Sequence, residues 1–291
     1  MGNNNHHNMS GKICMVTGAT AGIGFETARQ LAEMGAEVVV VGHNDEHLKN
    51  AVESIRQSTG NAKITPFNAD LSSVQDIRKL ADEFLSRYDR LDVLVNNAGG
   101  FFYSRKESPD GYEMTLALNH LNYFLLTNLL LDVLKKTALD QGEARIVNVS
   151  SGASMGGKIH FDDLQTEHGY SGWRAYSQSK LANILFTKEL ARRLDGAPVM
   201  VNALHPGFVA SNFGHNNGPI IGTLLKLSQF FAKTPEEGAE TSVYLASSPE
   251  VAGESGGYYA ESKPVKPPEA ANDPDTAAHL WEVSEKLVQS S

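Results

Sequence analysis

A net charge of −9 and a pI near 5.6 over 291 residues leave no basic surplus for holding nucleic acid or an anionic bilayer by bulk electrostatics. An apolar fraction of 41% is enough for a large core, and a single cysteine, Cys14, excludes an intrachain disulfide. The longest apolar run, "LNHLNYFLLTNLLLDVL", is interrupted by Asn119, His120, Asn122 and Asn128, so no integral membrane segment is expected and the chain reads as cytoplasmic.

Residues 1–9 are polar, lack the apolar stretch of a secretory signal and read as a disordered leader. Residues 10–291 then read as one domain. "KICMVTG" (12–18) predicts a buried strand, and "GIGFETARQLAEMG" (22–35) a helix with Ile23, Ala28, Leu31 and Met34 at helical spacing. "AEVVVVG" (36–42) predicts a second buried strand. A helix follows at 45–59, a strand at 62–68 and a helix at 73–88. The strand "LDVLVNNAG" (91–99) leads into a long helix near 112–137, and "ARIVNVSS" (144–151) is a further strand. A helix at 173–195, a strand at 200–207, a helix at 235–247 and a short strand at 256–260 complete the rhythm. Residues 208–233 stand outside it as a Gly- and Asn-rich, then apolar, substrate loop, and a last amphipathic helix covers 275–288. Continuous β-branched runs mean strands covered on both faces. With helices between them they predict an α/β fold, a Rossmann-type doubly wound parallel sheet of about seven strands with helices on both faces.

"TGATAGIG" (17–24) sits between the first strand and first helix. Gly18 permits a tight exit from the strand, Gly22 a close approach to a cofactor, and Gly24 close helix–sheet packing. The helix N-terminus then offers N–H groups and a positive dipole end to a pyrophosphate. The spacing differs from G-x-G-x-x-G, and a Gly-rich loop alone is weak evidence.

The blocks "TGATAGIG", "ADL" (69–71), "NNAG" (96–99), Asn119 in "LNHL", "NVSS" (148–151), "YSQSK" (176–180) and "HPGFV" (205–209) occur in a telling order. Over roughly residues 10–260 the chain resembles the short-chain dehydrogenase/reductases. "IVNVSSGA", "IHFDDLQ" and "AYSQSKLANILFTKELARRL" are similar to the retinol-dehydrogenase-like branch, as is the long insert between serine and tyrosine. The resemblance implies a dinucleotide held by Gly18, Thr20, Gly22, Ile23 and Gly24, with Asp70 and Leu71 at the adenine. It places Asn97, Ala98 and Gly99 along the adenosine and ribose, and Pro206, Gly207 and Val209 beside the nicotinamide. A strand-ending turn is the plainer reading of "NNAG", and the two are compatible.

Tyr176 and Lys180 are four residues apart in a segment with helical apolar spacing, so they share a face and both would also touch the cofactor. A nearby ammonium favours phenolate, so the expectation is a lowered phenol pKa; a drop of two to three units takes ~3–4 kcal/mol from Lys180 and the nicotinamide charge together, in a partly desolvated pocket. Tyr259 and Lys263 have the same spacing, but they follow a Gly-Gly pair and run into Pro264, which makes them strand and loop. Ser151, at a strand end, would donate a hydrogen bond to the substrate oxygen. The resemblance gives Asn119 a water linking Lys180 to solvent. The expected reaction is hydride transfer between nicotinamide and a carbonyl or alcohol, with Tyr176 as general acid or base. A non-catalytic dinucleotide sensor and a C=C reductase are the competing readings.

An acid at the end of the second strand would select NAD. Gly42 stands there, followed by His43 and Asn44, so NADP(H) is favoured over NAD(H). The retinol-dehydrogenase-like branch has Arg in the His43 slot. His43 and His47 have ligand spacing without a third partner, so no metal is expected. Asp162 and Asp163 read as surface charge, and His205 as a strand-end residue. Phe101, Phe102, Tyr103, Trp173 and the apolar part of 208–233 either pack the loops or line a pocket with a mobile lid. The pocket would take a lipophilic aldehyde, ketone or alcohol. The long helix is apolar on more than one face; the family often pairs through it and the Tyr-bearing helix, which implies a homodimer or homotetramer.

Overall fold

The computed structural model describes residues 8–207 and 233–289. Val209 and nearly all of the expected substrate loop lie outside the described residues, as do residues 1–7 of the leader. Met9, placed in the leader by sequence, is 5% exposed, and its amide donates to the Met34 carbonyl at 2.9 Å.

The strands are β1 (Ile13–Thr17), β2 (Glu37–Gly42), β3 (Ile64–Asn68), β4 (Val93–Asn96), β5 (Ala144–Val149), β6 (Val199–Leu204), β7 (Tyr258–Ala260) and β8 (Lys263–Pro264). They form one sheet in the order β3-β2-β1-β4-β5-β6-β7-β8, parallel except for the last pair. The short antiparallel β8 is the strand the sequence pattern did not show. It places Tyr259 opposite Pro264, so Tyr259 and Lys263 share no helix face.

Alternate residues feed two cores. Met15, Val39, Val41 and Leu94 join one, with Phe84 of α3 (Val74–Arg87) and Phe186 of α7 (Gly172–Arg193). Cys14, Val16, Val38 and Val40 join the other, with Leu31 of α1 (Gly22–Glu33), Ile55 of α2 (Asp45–Thr59) and Leu245 of α8 (Pro235–Ser247). Chain order reverses between β1 and β4, which opens a crevice at their C-terminal ends.

The long helix expected near 112–137 is broken. A turn, α4 (Met114–Leu116), leads into a π turn (Ala117–Leu121), then α5 (Asn122–Leu129) and α6 (Leu131–Gln141). The Asn122 amide reaches back to the Ala117 carbonyl, one residue further than an α-helix allows. The Asn122 side chain donates to the Leu118 carbonyl at 2.9 Å. The apolar faces of α5 and α7 are covered by the chain's own last helix, α9 (Pro274–Gln289). Trp281 lies edge-on to Phe124 at 4.8 Å and stacks on Phe186 at 5.7 Å.

Candidate active site

The crevice begins at the turn after β1. Gly18 and Gly22 have φ of +63° and +59°, where a side chain is strained. A Cβ on Gly18 would lie 2.8 Å from Ala98 Cα, and one on Gly24 would meet Asn97 Nδ2 and the Gly18 carbonyl. Asn97 holds the turn closed: its Nδ2 donates to the Thr17 carbonyl at 2.8 Å and to that of Gly18 at 3.3 Å. Thr17 Oγ1 in turn accepts the Asn97 and Ala98 amides at 2.9 and 3.1 Å. The Asn97 side chain expected along the adenosine thus also closes the glycine turn.

Helix α1 starts at Ala21 without a side-chain cap and without an acid in its first turn. By contrast α2, α3, α7 and α8 are capped by Asn44, Ser73, Ser171 and Thr234. The glycine cradle and the uncapped amides of α1 fit a dinucleotide pyrophosphate, with Thr20 and half-buried Ile23 in the same turn.

At the adenosine end, Gly42 has room for no side chain beside Thr20 Cγ2. His43 is exposed, whereas Asn44 Oδ1 accepts the His47 amide at 2.9 Å as the cap of α2. Asp70 Oδ1 accepts from the amide and hydroxyl of Ser72 at 2.9 and 2.7 Å, and Leu71 is buried. At the opposite end, Gly207 takes φ +85°, its amide donates to His205 Nδ1 at 3.3 Å, and Pro206 is half-buried between them.

Four expected residues meet where β4 and β5 end. Tyr176 is 8% exposed and its hydroxyl lies near the side chain of Ser151, which follows β5 and caps the short helix 152–156. Lys180, 3% exposed, donates from Nζ to the Val149 carbonyl at 3.0 Å, and its Nζ lies 5.8 Å from the Tyr176 ring centre. Asn119 Oδ1 accepts the Gly100 amide at 2.7 Å, and its Nδ2 donates to the Gly100 carbonyl at 3.0 Å and to Ser179 Oγ at 2.9 Å. A Cβ on Gly99 would stand 3.1 Å from Asn119 Oδ1 and 3.4 Å from Lys180 Nζ, so both polar groups crowd the Cβ side of Gly99.

Lys180 by itself does not lower the Tyr176 phenol. Burial pushes the phenol up to about 12, only partly opposed by the nearby Ser151 side chain. Burial also pushes the Lys180 ammonium down to about 7, which weakens the charge that was to make the phenol acidic.

The family model for short chain dehydrogenase matches residues 12–219. This chain belongs to the short-chain dehydrogenase/reductase family. It is 43% identical to mouse retinol dehydrogenase 14 over 293 residues, covering 96% of this chain and 86% of that protein. Human retinol dehydrogenase 12 is 42% identical over 280 residues, with 96% and 87% covered. Among solved structures, an uncharacterised Mycobacterium paratuberculosis protein aligns with TM-score 0.79 and 32% identity over 97% of this chain and 95% of that one. The Pseudomonas aeruginosa RhlG/NADP active-site complex aligns with TM-score 0.69 and 29% identity over 86% and 94%. The chain is thus an oxidoreductase of a family that transfers hydride with NAD(P)(H).

Around the tetrad of Asn119, Ser151, Tyr176 and Lys180, Phe101 meets the Tyr176 ring edge-on at 5.7 Å, and Trp173 lies 6.5 Å from it. Trp173 and Tyr103 are each 61% exposed, while Phe102 is buried. Aromatic surface therefore reaches from the tyrosine to solvent. Asp163, read as surface charge, accepts the Glu167 amide at 2.6 Å and pairs with Arg174 at 3.4 Å, so it shapes the insert. No helix among the described residues is long and apolar enough to cross a membrane.

Several residues escaped the sequence reading. Ser179 accepts from Asn119 while donating to the Tyr176 carbonyl at 2.8 Å, which ties the π turn to α7. Tyr170 donates to the Phe102 carbonyl at 2.9 Å and anchors the aromatic stretch. Asn96 and Asn148 pair across β4 and β5 at 2.8 Å inside the core. The Asn96 of "NNAG" was visible as a turn former; its buried partner was not.

Proposed function

We propose that the chain interconverts a carbonyl and an alcohol on a lipophilic substrate, with Tyr176 as general acid or base and NADP(H) as the favoured cofactor. The convergence of Tyr176, Lys180 and Asn119 on the sheet end where Ser151 stands carries this reading. Bound along the glycine turn, the nicotinamide dinucleotide would supply or accept the hydride.

Ser151 and Tyr176 present two hydroxyls to one substrate oxygen. In reduction Tyr176 releases its proton to that oxygen as negative charge develops there, and Ser151 stabilises the charge by a hydrogen bond. A phenol held near 12 is fully protonated at neutral pH, which suits the acid role. Lys180 supports the phenolate left behind when it is charged. Asn119 and Lys180 both crowd the Cβ side of Gly99, consistent with a water between them that returns the proton to the site.

Support for NADP(H) is Gly42 at the end of β2, where an acid would repel a 2′-phosphate, with exposed His43 next to it. Support for a lipophilic substrate is the aromatic edge of Phe101, Tyr103 and Trp173 beside Tyr176. Retinoids are a reasonable first class to try, given the names of the curated relatives. A homodimer or homotetramer would use a face other than α5 and α7, because α9 already occupies that one.

The test is a set of lipophilic aldehydes and ketones followed by NADPH and NADH absorbance. Turnover of aldehydes with long apolar tails, faster with NADPH, is expected. Turnover confined to short polar carbonyls would overturn the substrate reading, and an NADH preference above tenfold would overturn the cofactor reading.

A further inference from the structure

His120 is buried and plays no part in the reaction above. It directly follows Asn119 within the π turn. Its Nε2 lies 2.9 Å from Ser284 Oγ on α9, and its Nδ1 lies 3.3 Å from the Asn183 side chain on α7. Ser284 Oγ spends its own proton on the Leu280 carbonyl at 2.7 Å, so it must accept from His120. That fixes the tautomer with the proton on Nε2 and leaves Nδ1 as an acceptor. The Asn183 amide then belongs with its nitrogen towards Nδ1. This orientation also gives Asn183 Nδ2, otherwise buried without a partner, its hydrogen bond. Burial keeps the imidazole neutral, with a pKa pushed down to about 4.

A π turn is an unfavourable detour in a helix and persists where its surroundings over-determine it. Two consecutive side chains grip this one from different sides. Asn119 binds Gly100 and Ser179 on the cofactor side. His120 binds α7 and α9 on the side of the C-terminal helix. A change in either grip rotates the turn and moves the other residue.

We propose that His120 and Ser284 are positioning residues: acting from the C-terminal helix, they set the rotation of the π turn and so hold Asn119 beside Gly99 and Lys180. The inference rests on the dehydrogenase reading of the tetrad. It gives α9, which reaches Ser284 from the far end of the chain, a role in turnover as well as in covering α5 and α7.

The test compares the full-length wild type with Ser284→Ala, His120→Leu and His120→Gln. Steady-state carbonyl reduction, NADPH affinity by fluorescence titration and Tm are measured for each. Ser284→Ala and His120→Leu are expected to lower kcat by about tenfold or more, with substrate KM and NADPH affinity within about twofold of wild type. His120→Gln, whose amide nitrogen reaches the Nε2 position, should recover most of the rate. If His120→Leu fails to fold, Ser284→Ala, which removes one oxygen, decides alone. Lowered Tm with kcat within about twofold in Ser284→Ala would overturn the proposal, as would His120→Gln as slow as His120→Leu. A wild type with no turnover of any carbonyl sinks the dehydrogenase reading itself and takes this inference with it.

Discussion

The Lys180 ammonium lies 5.8 Å from the centre of the Tyr176 ring, one turn along the same buried helix, and both groups are driven towards their neutral forms. The same burial that would strengthen their interaction removes the lysine charge at a pH near 7.

This makes the stability cost of Lys180 pH-dependent. Its folded pKa, about 7, lies below the ordinary 10.5, so the unfolded chain binds more protons between those values. The cost is complete below pH 7 and fades as pH rises through that window. Lys180→Met removes it. The variant's stability advantage over wild type should be largest at pH 6 and shrink towards pH 9, by at most about 1.4 kcal/mol per pH unit. Tyr176 acts with the opposite sign and only above its ordinary value of 10, outside this range. Urea unfolding of both proteins at three pH values checks this, and a difference independent of pH would refute it.

Trp281 fastens α9. Its ring touches Phe124 and Phe186, and the Arg193 guanidinium sits 4.2 Å above it. Trp281→Ala should cost about 3–5 kcal/mol. It should also bare the apolar face of α5 and α7, so light scattering should report a larger assembly than the wild type forms. A variant with unchanged stability and mass would show that α9 is not the cover it is taken to be.

His43 is an exposed, weak anion partner next to a strand end without an acid. His43→Arg places a permanent, fork-shaped cation there. The ratio of kcat/KM for NADPH over NADH should rise about tenfold. An unchanged ratio would place the 2′-phosphate elsewhere.

The sheet, and the coming together of Asn119, Ser151, Tyr176 and Lys180, were legible because their signals are local. The Val38–Val41 run marks a strand buried on both faces, and the serine and tyrosine blocks stand at a strand end and on a helix. The π turn left no such signal, because an extra residue in a helix does not change its apolar composition. Asn119 was legible only through the family resemblance, and His120 only as an interruption of an apolar run. The cover over α5 was equally hidden: amphipathicity tells which face of a helix is buried, not whether the partner is another copy or the chain's own tail. Asn97 and Asn44 show a different limit, since Asn97 Nδ2 also closes the glycine turn and Asn44 Oδ1 also caps α2. The phenol shift runs against the expectation because burial, which was to strengthen the pull of Lys180, raises the phenol itself and lowers the lysine.

The central claim is that the Tyr176 hydroxyl passes the proton. Tyr176→Phe removes that oxygen and little else. Measured with NADPH and the best aldehyde, kcat should fall by about a thousandfold, while NADPH affinity stays within about twofold of wild type. A variant that keeps its rate would contradict the account.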